Sequence, residues 1–437
     1  MKTARQTAFD ILYKIKRDSS YSNLAVDSVL SDCELSNTNR AFVSALVYGV
    51  LERSFTIDYQ LSLYLIQPLR KLKPQVLTLL QLGAYQLLFM DKVPESAAVN
   101  ETVSLAKSCG CSFASGLINA VLRNVARNGV VLPEETDKYL YYSVKYSFPV
   151  ELIKFWIKHY GEDNAVGIMS CCDGRPPLTV RVNTLKTTSD ELSALFEKEE
   201  ITSQIGPIAD SLDLGKCGSI EKTTSFKNGL FHVQDGASQF CAQALDPQPN
   251  ETVLDLCAAP GGKSFTLAQK MKNTGRIIAC DIHSHRLELI KNGASRLDIT
   301  NIECFSNDAS VFNSDMPLAD RVLCDVPCSG LGIIRRKPEI RLKPLDELKM
   351  LPPLQLKILE CASQYVKNGG RLVYSTCALN PKENENVCKK FLENNTDFKV
   401  IQPEFLPKNT FVRDGFVTLM PHINGTDGFF FAIFERM

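Results

Sequence analysis

The C-terminal half of this 437-residue chain is organised around the sequence Asp255-Leu256-Cys257-Ala258-Ala259-Pro260-Gly261-Gly262-Lys263. An apolar run at 252–254 precedes it and a helix-like segment at 264–271 follows it, which is typical of a strand, a tight loop and the first turn of a helix. Adjacent glycines allow the backbone to approach a ligand closely, and the first turn of a helix offers free N–H groups. We therefore predict a loop that binds a nucleotide-like molecule.

Two common glycine-rich loops differ from this sequence. The dinucleotide-binding fingerprint G-x-G-x-x-G is absent, and the P-loop G-x-x-x-x-G-K-[ST] would require glycine at the position of Cys257. About twenty residues further on, the apolar run at 276–280 ends in Asp281, from which an acidic side chain can bind the hydroxyls of a ribose. An adenosine ligand held by its sugar is therefore favoured over one held by its phosphates.

The composition indicates a soluble globular protein of two or three domains. Hydrophobic residues make up 44% of the chain and charged residues 22%, and the formal net charge is zero. No apolar run of about eighteen residues is present, so no membrane span is expected. The amphipathic N-terminus does not resemble a signal peptide, which favours a cytoplasmic protein.

The fifteen cysteines are scattered through apolar runs without C-x-x-C pairs. In a chain without a secretory signal, this pattern predicts reduced thiols, most of them small core residues. The spacing of a zinc site is absent, and we interpret His283 and His285 as part of a solvated turn. No metal is therefore expected.

Four regions are predicted along the chain. Residues 1–130 have apolar positions at helical spacing between breakers such as Pro74 and Pro94, which indicates a helical bundle. A helical connector at 131–165 leads to short alternating runs at 166–232, which predict a small α+β module similar to an RNA-recognition module. The bundle contains 14 Lys and Arg against 10 Asp and Glu, an excess that is compatible with RNA binding.

Strands and helices alternate from residue 233 to residue 437, which predicts a Rossmann-like α/β domain with a parallel sheet. Segments at 411–419 and 428–434 are predicted to close this sheet as an antiparallel pair. Ligands bind beyond the carboxyl ends of parallel strands. Polar or nucleophilic residues follow five consecutive predicted strands: the Gly-Gly-Lys turn, Asp281, Asn307 with Asp308, the sequence from Asp325 to Gly330, and the sequence from Ser375 to Cys377.

Two of these loops contain cysteines, Cys328 and Cys377. If the first loops bind a methyl donor, these cysteines indicate which atom of the substrate is methylated. Enzymes that methylate exocyclic amines use an Asn/Asp-Pro-Pro-aromatic loop at the fourth strand, whereas this chain has cysteine in place of the aromatic residue. A cysteine beside a pyrimidine suggests attack on carbon. Cytosine C5 becomes nucleophilic when a thiolate adds at C6, and a base must then remove the C5 proton before the thiol leaves.

The motifs of the C-terminal half resemble those of RNA cytosine-5 methyltransferases. The resemblance rests on the segments 255–263, 325–330, 375–377 and Asn-Pro-Lys-Glu-Asn-Glu at 380–385. Segments 97–102 and 116–124 are similar to the NusB-type domain of the bacterial Sun/Fmu (RsmB) branch. The resemblance covers nearly the whole chain. It implies S-adenosylmethionine as the methyl donor and a cytosine in a hairpin loop of 16S rRNA as the target.

The resemblance also implies roles for individual residues. Cys377 is expected to attack the base and Cys328 to assist product release. Asp325 is expected to lie between the donor and the base, where it contributes to the cofactor site and hydrogen-bonds the cytosine edge. Asp281 would hold the ribose of the donor and Asp308 its adenine amine. The methionine end would be surrounded by Cys257, Ala258, Ala259, Pro260, Gly261, Gly262 and Lys263.

A cluster of basic residues follows the Cys328 loop and is dense enough to contact phosphates beside the active site. It comprises Arg335, Arg336, Lys337 and Arg341. A target base leaves its stack most easily from a loop, which agrees with a hairpin substrate. We expect a monomer that binds 16S rRNA.

Other functions remain open. A P-loop nucleotidase is disfavoured by Cys257 and by two cysteines that have no role in phosphoryl transfer. A DNA cytosine methyltransferase would place its nucleophile in the Pro-Cys loop, which leaves Cys377 unexplained. The remaining alternatives are an RNA-binding rRNA-maturation factor with an inactive methyltransferase domain, and an enzyme that modifies cytosine in another RNA such as tRNA.

Overall fold

The computed structural model describes residues 2–18, 22–31, 33, 35–174, 176–215 and 217–437. Arg175 and Lys216 fall within the predicted small module but lie outside the described residues, as does Met1 at the start of the predicted bundle. The chain divides into two compact units, Met1–Asp173 with Arg336–Leu345 and Gly174–Arg335 with Asp346–Met437. Of the helices in the described ranges, none is long and apolar enough to cross a membrane.

The first unit is a helical bundle. Its helices are α1 (Ala4–Asp18), α2 (Ser22–Ser31), α3 (Asn37–Glu52), α4 (Ser54–Ser62), α5 (Pro74–Phe89), α6 (Glu95–Ser108), α7 (Ser115–Asn128), α8 (Lys138–Tyr146), α9 (Val150–Tyr160) and α10 (Glu162–Ser170). Helix α5 begins with proline, whose missing N–H is not needed in a first turn, and packs against α1, α3, α4, α6 and α7. A Cβ added at Gly83 of α5 would lie 2.5 Å from Cδ1 of Leu122 in α7, so these two helices need glycine to approach so closely.

The second unit begins with a small antiparallel sheet. Its elements are β1 (Leu178–Val182), α11 (Ser189–Lys198), β2 (Ser203–Ile205), β3 (Ser211–Leu214), α12 (Thr224–Lys227) and β4 (Phe231–Val233). The strand order β2-β3-β1-β4 gives a ferredoxin-like βαββαβ fold. Alternate residues of β1, Val180 and Val182, share an apolar cluster with Phe196 and Phe231. The predicted small α+β module is therefore confirmed.

The rest of the second unit is built on a mixed sheet. Its strands are β5 (Thr252–Asp255), β6 (Arg276–Asp281), β7 (Ile302–Ser306), β8 (Ala319–Asp325), β9 (Val366–Thr376), β10 (Phe398–Val400), β11 (Phe411–Arg413), β12 (Phe416–Leu419) and β13 (Phe429–Arg436). The order is β11-β12-β13-β9-β8-β5-β6-β7, with β10 paired to β13. Strands β5 to β9 pair in parallel, as predicted. The closing part has four antiparallel strands rather than a pair. The predicted strand 411–419 divides into β11 and β12 at Asp414 and Gly415, which both have positive φ, and β13 also pairs with β10.

Helices cover both faces of this sheet. They are α13 (Gly236–Leu245), α14 (Gly262–Lys270), α15 (Ser284–Arg296), α16 (Leu351–Ser363), α17 (Glu385–Asn394) and the short α18 (Pro421–Asn424). Along β9, Val373 packs with residues of α13 to α15, whereas Leu372 and Tyr374 pack with residues of α16 and α17. Strands β5 and β6 are buried on both faces along nearly their whole length, whereas the edge strand β7 is largely exposed. The polar residues predicted for the site lie at or just beyond the carboxyl ends of the parallel strands. The predicted Rossmann-like fold is confirmed.

Candidate active site

The loop after β5 borders a cavity at the carboxyl edge of the sheet. Gly261 has a φ of +108°, and a Cβ added there would lie 2.6 Å from Cζ of Phe265, so this position requires glycine. The cavity contains about 540 Å³ of space not filled by atoms, part of it open to solvent. Its lining includes Gln234, Ser238, Asp255, Cys257, Ala258, Ala259, Pro260, Gly262, Lys263 and Asp325.

Two buried polar atoms of the lining residues have no hydrogen-bond partner among the described residues. One is Nε2 of Gln234, whose Oε1 accepts a hydrogen bond from the Thr266 hydroxyl at 2.7 Å. The other is Oδ1 of Asp255, whose Oδ2 accepts one from the Ser264 hydroxyl at 2.6 Å. Burial raises the pKa of Asp255 to about 6. Because unpaired buried polar atoms are rare, one donor and one acceptor here suit a ligand with a carboxylate and an ammonium group, such as an amino acid.

The carboxylates after β6 and β7 have different surroundings. Asp281 is buried and pairs with the Arg286 guanidinium at 3.1 Å, and Arg286 also donates to Ala259 O at 2.9 Å. Asp308 is exposed in the turn after β7, where the N–H of Ser310 donates to it and lowers the pKa of its carboxyl. Neither residue lines the cavity itself. The structure thus connects Asp281 to the glycine loop through Arg286 and leaves Asp308 at the solvent-exposed end of the same edge.

Lys263 and Asp325 form an ion pair between the loop after β5 and the end of β8. Lys263 Nζ lies 2.6 Å from Asp325 Oδ2, and Ser375 Oγ donates to Asp325 Oδ1 at 2.8 Å. Burial alone would lower the pKa of Lys263, but the Asp325 carboxylate outweighs burial and raises this pKa above its ordinary value. Asp325 is therefore fixed by two donors, while 29% of its side chain stays exposed in the cavity wall.

Cys328 and Cys377 lie next to each other on the loops after β8 and β9. These strands are parallel neighbours in which Asp325 pairs with Ser375, so the residues just beyond them meet at the same edge. The two sulfur atoms are 3.1 Å apart. Contact with Cys377, together with burial, raises the pKa of Cys328 well above its ordinary value. Either sulfur atom can donate to the other across this contact.

Several buried polar residues of the site were not found from the sequence. Gln355 Nε2 donates to Pro327 O and to Glu383 Oε2, each at 2.9 Å. Gln355 could have been noticed in the sequence because it lies on the buried face of α16, where an amide requires hydrogen-bond partners. Gln234 lies just beyond β4 outside any motif, so only its position in the fold reveals it. No group of three or more His, Cys, Asp or Glu side chains in the described part of the chain is placed to hold a metal ion.

Arg335, one of the four predicted RNA contacts, is engaged inside the second unit. Its side chain is 6% exposed, forms an ion pair with Asp427 and lies 3.5 Å from a carboxylate oxygen of Asp235. A guanidinium held by two carboxylates does not reach a phosphate. The structure therefore contradicts the expected phosphate contact for Arg335.

Arg341 is also buried, in this case inside the first unit. The segment Arg336–Leu345 belongs to that unit, and Arg341 is 2% exposed there. Its guanidinium donates to Glu52 O at 2.6 Å and Ser147 O at 2.9 Å, over the ring of Phe148. The expected phosphate contact is therefore contradicted for Arg341 as well. The side chains of Arg336 and Lys337 are half-buried.

Comparisons with known proteins agree with this architecture. Three family models match in chain order: the NusB family at 2–127, the ferredoxin-like domain of RsmF/B-like methyltransferases at 148–221, and 16S rRNA methyltransferase RsmB/F at 242–435. The probable ribosomal RNA small subunit methyltransferase B of Bacillus subtilis is 39% identical over 445 residues, which span 99% of this chain and 99% of that protein. The chain belongs to the RsmB/F family of 16S rRNA methyltransferases.

Further relatives of this RsmB/F chain extend the match. The ribosomal RNA small subunit methyltransferase B of Shewanella oneidensis is 32% identical and covers 91% of each chain. The crystal structure of PH0851 is similar with a TM-score of 0.83 at 26% identity, covering 100% of this chain and 99% of that one. A methyltransferase homolog protein from Pyrococcus horikoshii has a TM-score of 0.61 at 30% identity, covering 69% of this chain and 99% of that one. The chain is therefore a methyltransferase.

Proposed function

We propose that this RsmB/F chain transfers a methyl group from S-adenosylmethionine to C5 of a cytosine in a hairpin loop of 16S rRNA. The observation that supports the proposal most strongly is the pair of sulfur atoms 3.1 Å apart on the loops after β8 and β9. Two thiols in contact at the ligand edge of a parallel sheet suit covalent catalysis, in which one attacks the base and the other assists its release. The names of the relatives from Bacillus subtilis and Shewanella oneidensis favour small-subunit rRNA as the substrate.

Two atoms of the cavity wall support S-adenosylmethionine as the ligand. Gln234 Nε2 would donate to the carboxylate of the methionine end and Asp255 Oδ1 would accept from its ammonium group, and both are buried atoms without partners among the described residues. Residues 257–263 would surround this end of the molecule. Asp281 would hold the ribose and Asp308 the adenine amine. When bound, S-adenosylmethionine would supply the methyl group from its sulfonium sulfur, and the rest of the donor would leave as a neutral thioether.

In the first half of the reaction, Cys377 acts as the nucleophile. Its thiolate forms a bond to C6 of cytosine, and the electron pair of the C5–C6 double bond becomes available at C5 to accept the methyl group. Asp325, which Lys263 and Ser375 hold in place, would accept a hydrogen bond from the exocyclic amine at the edge of the base and so orient the ring for attack.

In the second half, Cys328 assists release. C5 then carries both a proton and a methyl group. Loss of the C5 proton to a base restores the C5–C6 double bond as the bond between C6 and sulfur breaks, and the electron pair of that bond returns to Cys377. Cys328, in contact with Cys377, donates its proton to the departing sulfur, while solvent water acts as the base that accepts the proton from C5.

Arg336 and Lys337 are the remaining candidates for phosphate contacts, because their side chains are half-exposed cations in the chain segment that follows the Cys328 loop. We propose that the enzyme acts on rRNA in the cytoplasm as a monomer. The exposed turn at Asp308 and the open side of the cavity leave the ligand edge accessible to a large substrate.

A methyl-transfer assay tests this function. The enzyme is incubated with methyl-labelled S-adenosylmethionine and unmethylated 16S rRNA, with tRNA in a parallel reaction, and the RNA is digested to nucleosides for mass spectrometry. We expect label in 5-methylcytidine from one hairpin loop of 16S rRNA, none with Cys377→Ala, and normal label with Cys388→Ala, which changes a buried cysteine of α17. Label in another nucleoside, or full activity of Cys377→Ala, contradicts the proposal. If only tRNA is labelled, the substrate is tRNA and not 16S rRNA.

A further inference from the structure

Two consecutive side chains, Glu383 and Asn384, lie between β9 and α17 and are fully buried. The mechanism above gives neither a role. Glu383 is a carboxylate in an apolar surrounding, and such a group is costly to bury unless hydrogen bonds satisfy it. Its hydrogen bonds, and those of Asn384, lead to the residues on either side of the two site cysteines.

Glu383 is bonded to the loop that contains Cys328. Its Oε2 accepts hydrogen bonds from the backbone N–H of Ser329 at 2.8 Å and from Gln355 Nε2 at 2.9 Å. Gln355 Nε2 also donates to Pro327 O, so the residues before and after Cys328 are both tied to this one carboxylate. Its second oxygen, Oε1, accepts from Asn380 Nδ2 at 2.7 Å, in the loop after Cys377.

Asn384 is bonded to the residues on either side of Cys377. Its Oδ1 accepts a hydrogen bond from the Thr376 hydroxyl at 2.7 Å, and its Nδ2 donates to Ala378 O at 2.7 Å. Thr376 precedes Cys377 and Ala378 follows it. Asn384 therefore fixes the backbone of the Cys377 loop, while the neighbouring Glu383 fixes that of the Cys328 loop.

We propose that Glu383 and Asn384 are positioning residues that hold the two thiols in contact, Glu383 acting on Cys328 and Asn384 on Cys377. This inference rests on the proposed function, because it assigns the two side chains to the release and attack steps. Glu383 and Asn384 are consecutive in the chain and cannot move apart. Their side-chain hydrogen bonds therefore fix the distance between the Cys328 loop and the Cys377 loop. A carboxylate suits position 383 because it offers only acceptors to three donors. Glutamine there would turn an amide N–H toward one of those donors.

The test compares Glu383→Gln and Asn384→Asp with Cys388→Ala, which alters a buried residue of the following helix α17 whose side chain makes none of the hydrogen bonds described above. Single-turnover reactions with 16S rRNA and S-adenosylmethionine follow the covalent protein–RNA adduct on denaturing gels. We expect Glu383→Gln to slow decay of the adduct so that it accumulates, and Asn384→Asp to slow its formation by about 100-fold, the cost of a small misplacement of a reacting group. Thr376→Val should reproduce the Asn384→Asp result, and Thr376→Ser, which keeps the hydroxyl, should restore the rate.

A second readout does not depend on methyl transfer. Diamide oxidises two adjacent thiols to a disulfide and is itself reduced, so the rate at which it links Cys328 to Cys377, followed by peptide mass spectrometry, reports how closely the two sulfur atoms are held. We expect this rate to fall at least tenfold in Glu383→Gln and Asn384→Asp and to stay within twofold of wild type in Cys388→Ala.

The two readouts separate failure of this inference from failure of the proposed function. If Cys328→Ala, assayed in parallel, traps no adduct, the proposed function fails, and the diamide rates alone decide whether the two residues position the thiols. If Cys328→Ala traps the adduct but Glu383→Gln and Asn384→Asp behave like Cys388→Ala in both assays, the positioning role is wrong. If both variants slow formation and decay of the adduct equally, the assignment of Glu383 to the release step and Asn384 to the attack step is wrong.

Discussion

The loops that contain Cys328 and Cys377 differ from the segment that contains Arg335 and Arg341 in what fixes them. The cysteines follow two neighbouring parallel strands, whose backbone pairing sets the distance between the loops before any side chain contributes. The arginines follow no strand, and each is fixed by side-chain contacts with residues distant in sequence. Strand order therefore predicts neighbours well, whereas a run of positive charges does not predict exposure.

The chemistry of arginine explains why the charge run was misleading. Its guanidinium has five donors in a planar fork, which can satisfy buried carboxylates or carbonyl oxygens, and its stem covers apolar surface. In the first unit the Arg341 guanidinium lies 4.4 Å from the centroid of the Phe148 ring while it donates to two carbonyl oxygens. A lysine in the same sequence position would be expected to stay in solvent.

Among the residues at the ends of the parallel strands, the largest effect of a substitution is expected at Asp325. Asp325→Asn leaves the Lys263 ammonium buried without its counter-charge, so we expect the free energy of unfolding to fall by about 3 kcal/mol, the lower end for a broken buried pair because Asp325 is part-exposed. Methyl transfer should fall to background. Urea unfolding and initial rates measure the two effects.

The matched control is the double variant Lys263→Met with Asp325→Asn. Without either charge, it should recover most of the stability but none of the activity. If the single and double variants lose the same stability, the ion pair does not contribute as the structure indicates.

The two strand-end carboxylates Asp255 and Asp308 should respond to pH in opposite directions. Folding raises the pKa of Asp255 from 3.8 to about 6, so the folded state binds the proton more tightly. The free energy of unfolding should therefore fall by about 2 to 3 kcal/mol as pH rises from about 4 to about 6, and Asp255→Asn should abolish this fall. Folding lowers the pKa of Asp308, so its small contribution is present above the unfolded pKa and is lost as pH falls.

Urea unfolding of wild type, Asp255→Asn and Asp308→Asn between pH 4 and pH 7 checks this prediction. The difference between wild type and Asp255→Asn isolates one group from the rest of the chain. A difference that is constant with pH would show that Asp255 titrates normally in the folded protein.

The basic segment should separate into structural and RNA-contacting residues. Arg341→Lys replaces the planar guanidinium, whose Nη1 donates to both Glu52 O and Ser147 O over the Phe148 ring, with an ammonium that lacks this fixed geometry. We therefore expect a loss of about 2 kcal/mol in the free energy of unfolding. RNA affinity should be unchanged, as measured by filter binding on the folded fraction. If RNA affinity falls while the free energy of unfolding does not, Arg341 contacts the RNA and its structural role is wrong.

The smallest effect is expected for the double variant Arg336→Ala with Lys337→Ala. Stability should fall by no more than about 1 kcal/mol, because both side chains are half-buried and make contacts of their own. Affinity for 16S rRNA should fall, and the slope of log affinity against log salt should decrease by about 1.4, corresponding to two phosphate contacts on single-stranded RNA. An unchanged slope would exclude these two residues from the interface.

Predictions from the sequence succeeded where local patterns fix the backbone. The helical spacing of the first 130 residues specifies the bundle, and the alternation after residue 233 specifies the sheet. The position of the cysteines after neighbouring strands specifies that they meet at one edge, because periodicity and strand order are properties of the chain itself. Gln234 and Glu383 were missed because their roles depend on hydrogen bonds to distant residues, which leave no periodic signal. The extra antiparallel strands were missed because β10 and β11 are three residues long.

The most direct test of the central claim, that Cys377 bonds the base and Cys328 releases it, is to trap the covalent intermediate. Cys328→Ala is mixed with S-adenosylmethionine and unmethylated 16S rRNA, separated on a denaturing gel and digested for mass spectrometry. We expect a slowly migrating protein–RNA species with the nucleotide attached to Cys377, and no such species when Cys377→Ala is added to the same chain. An adduct attached to another residue, or one that forms with Cys377→Ala and not with Cys328→Ala, would contradict this claim.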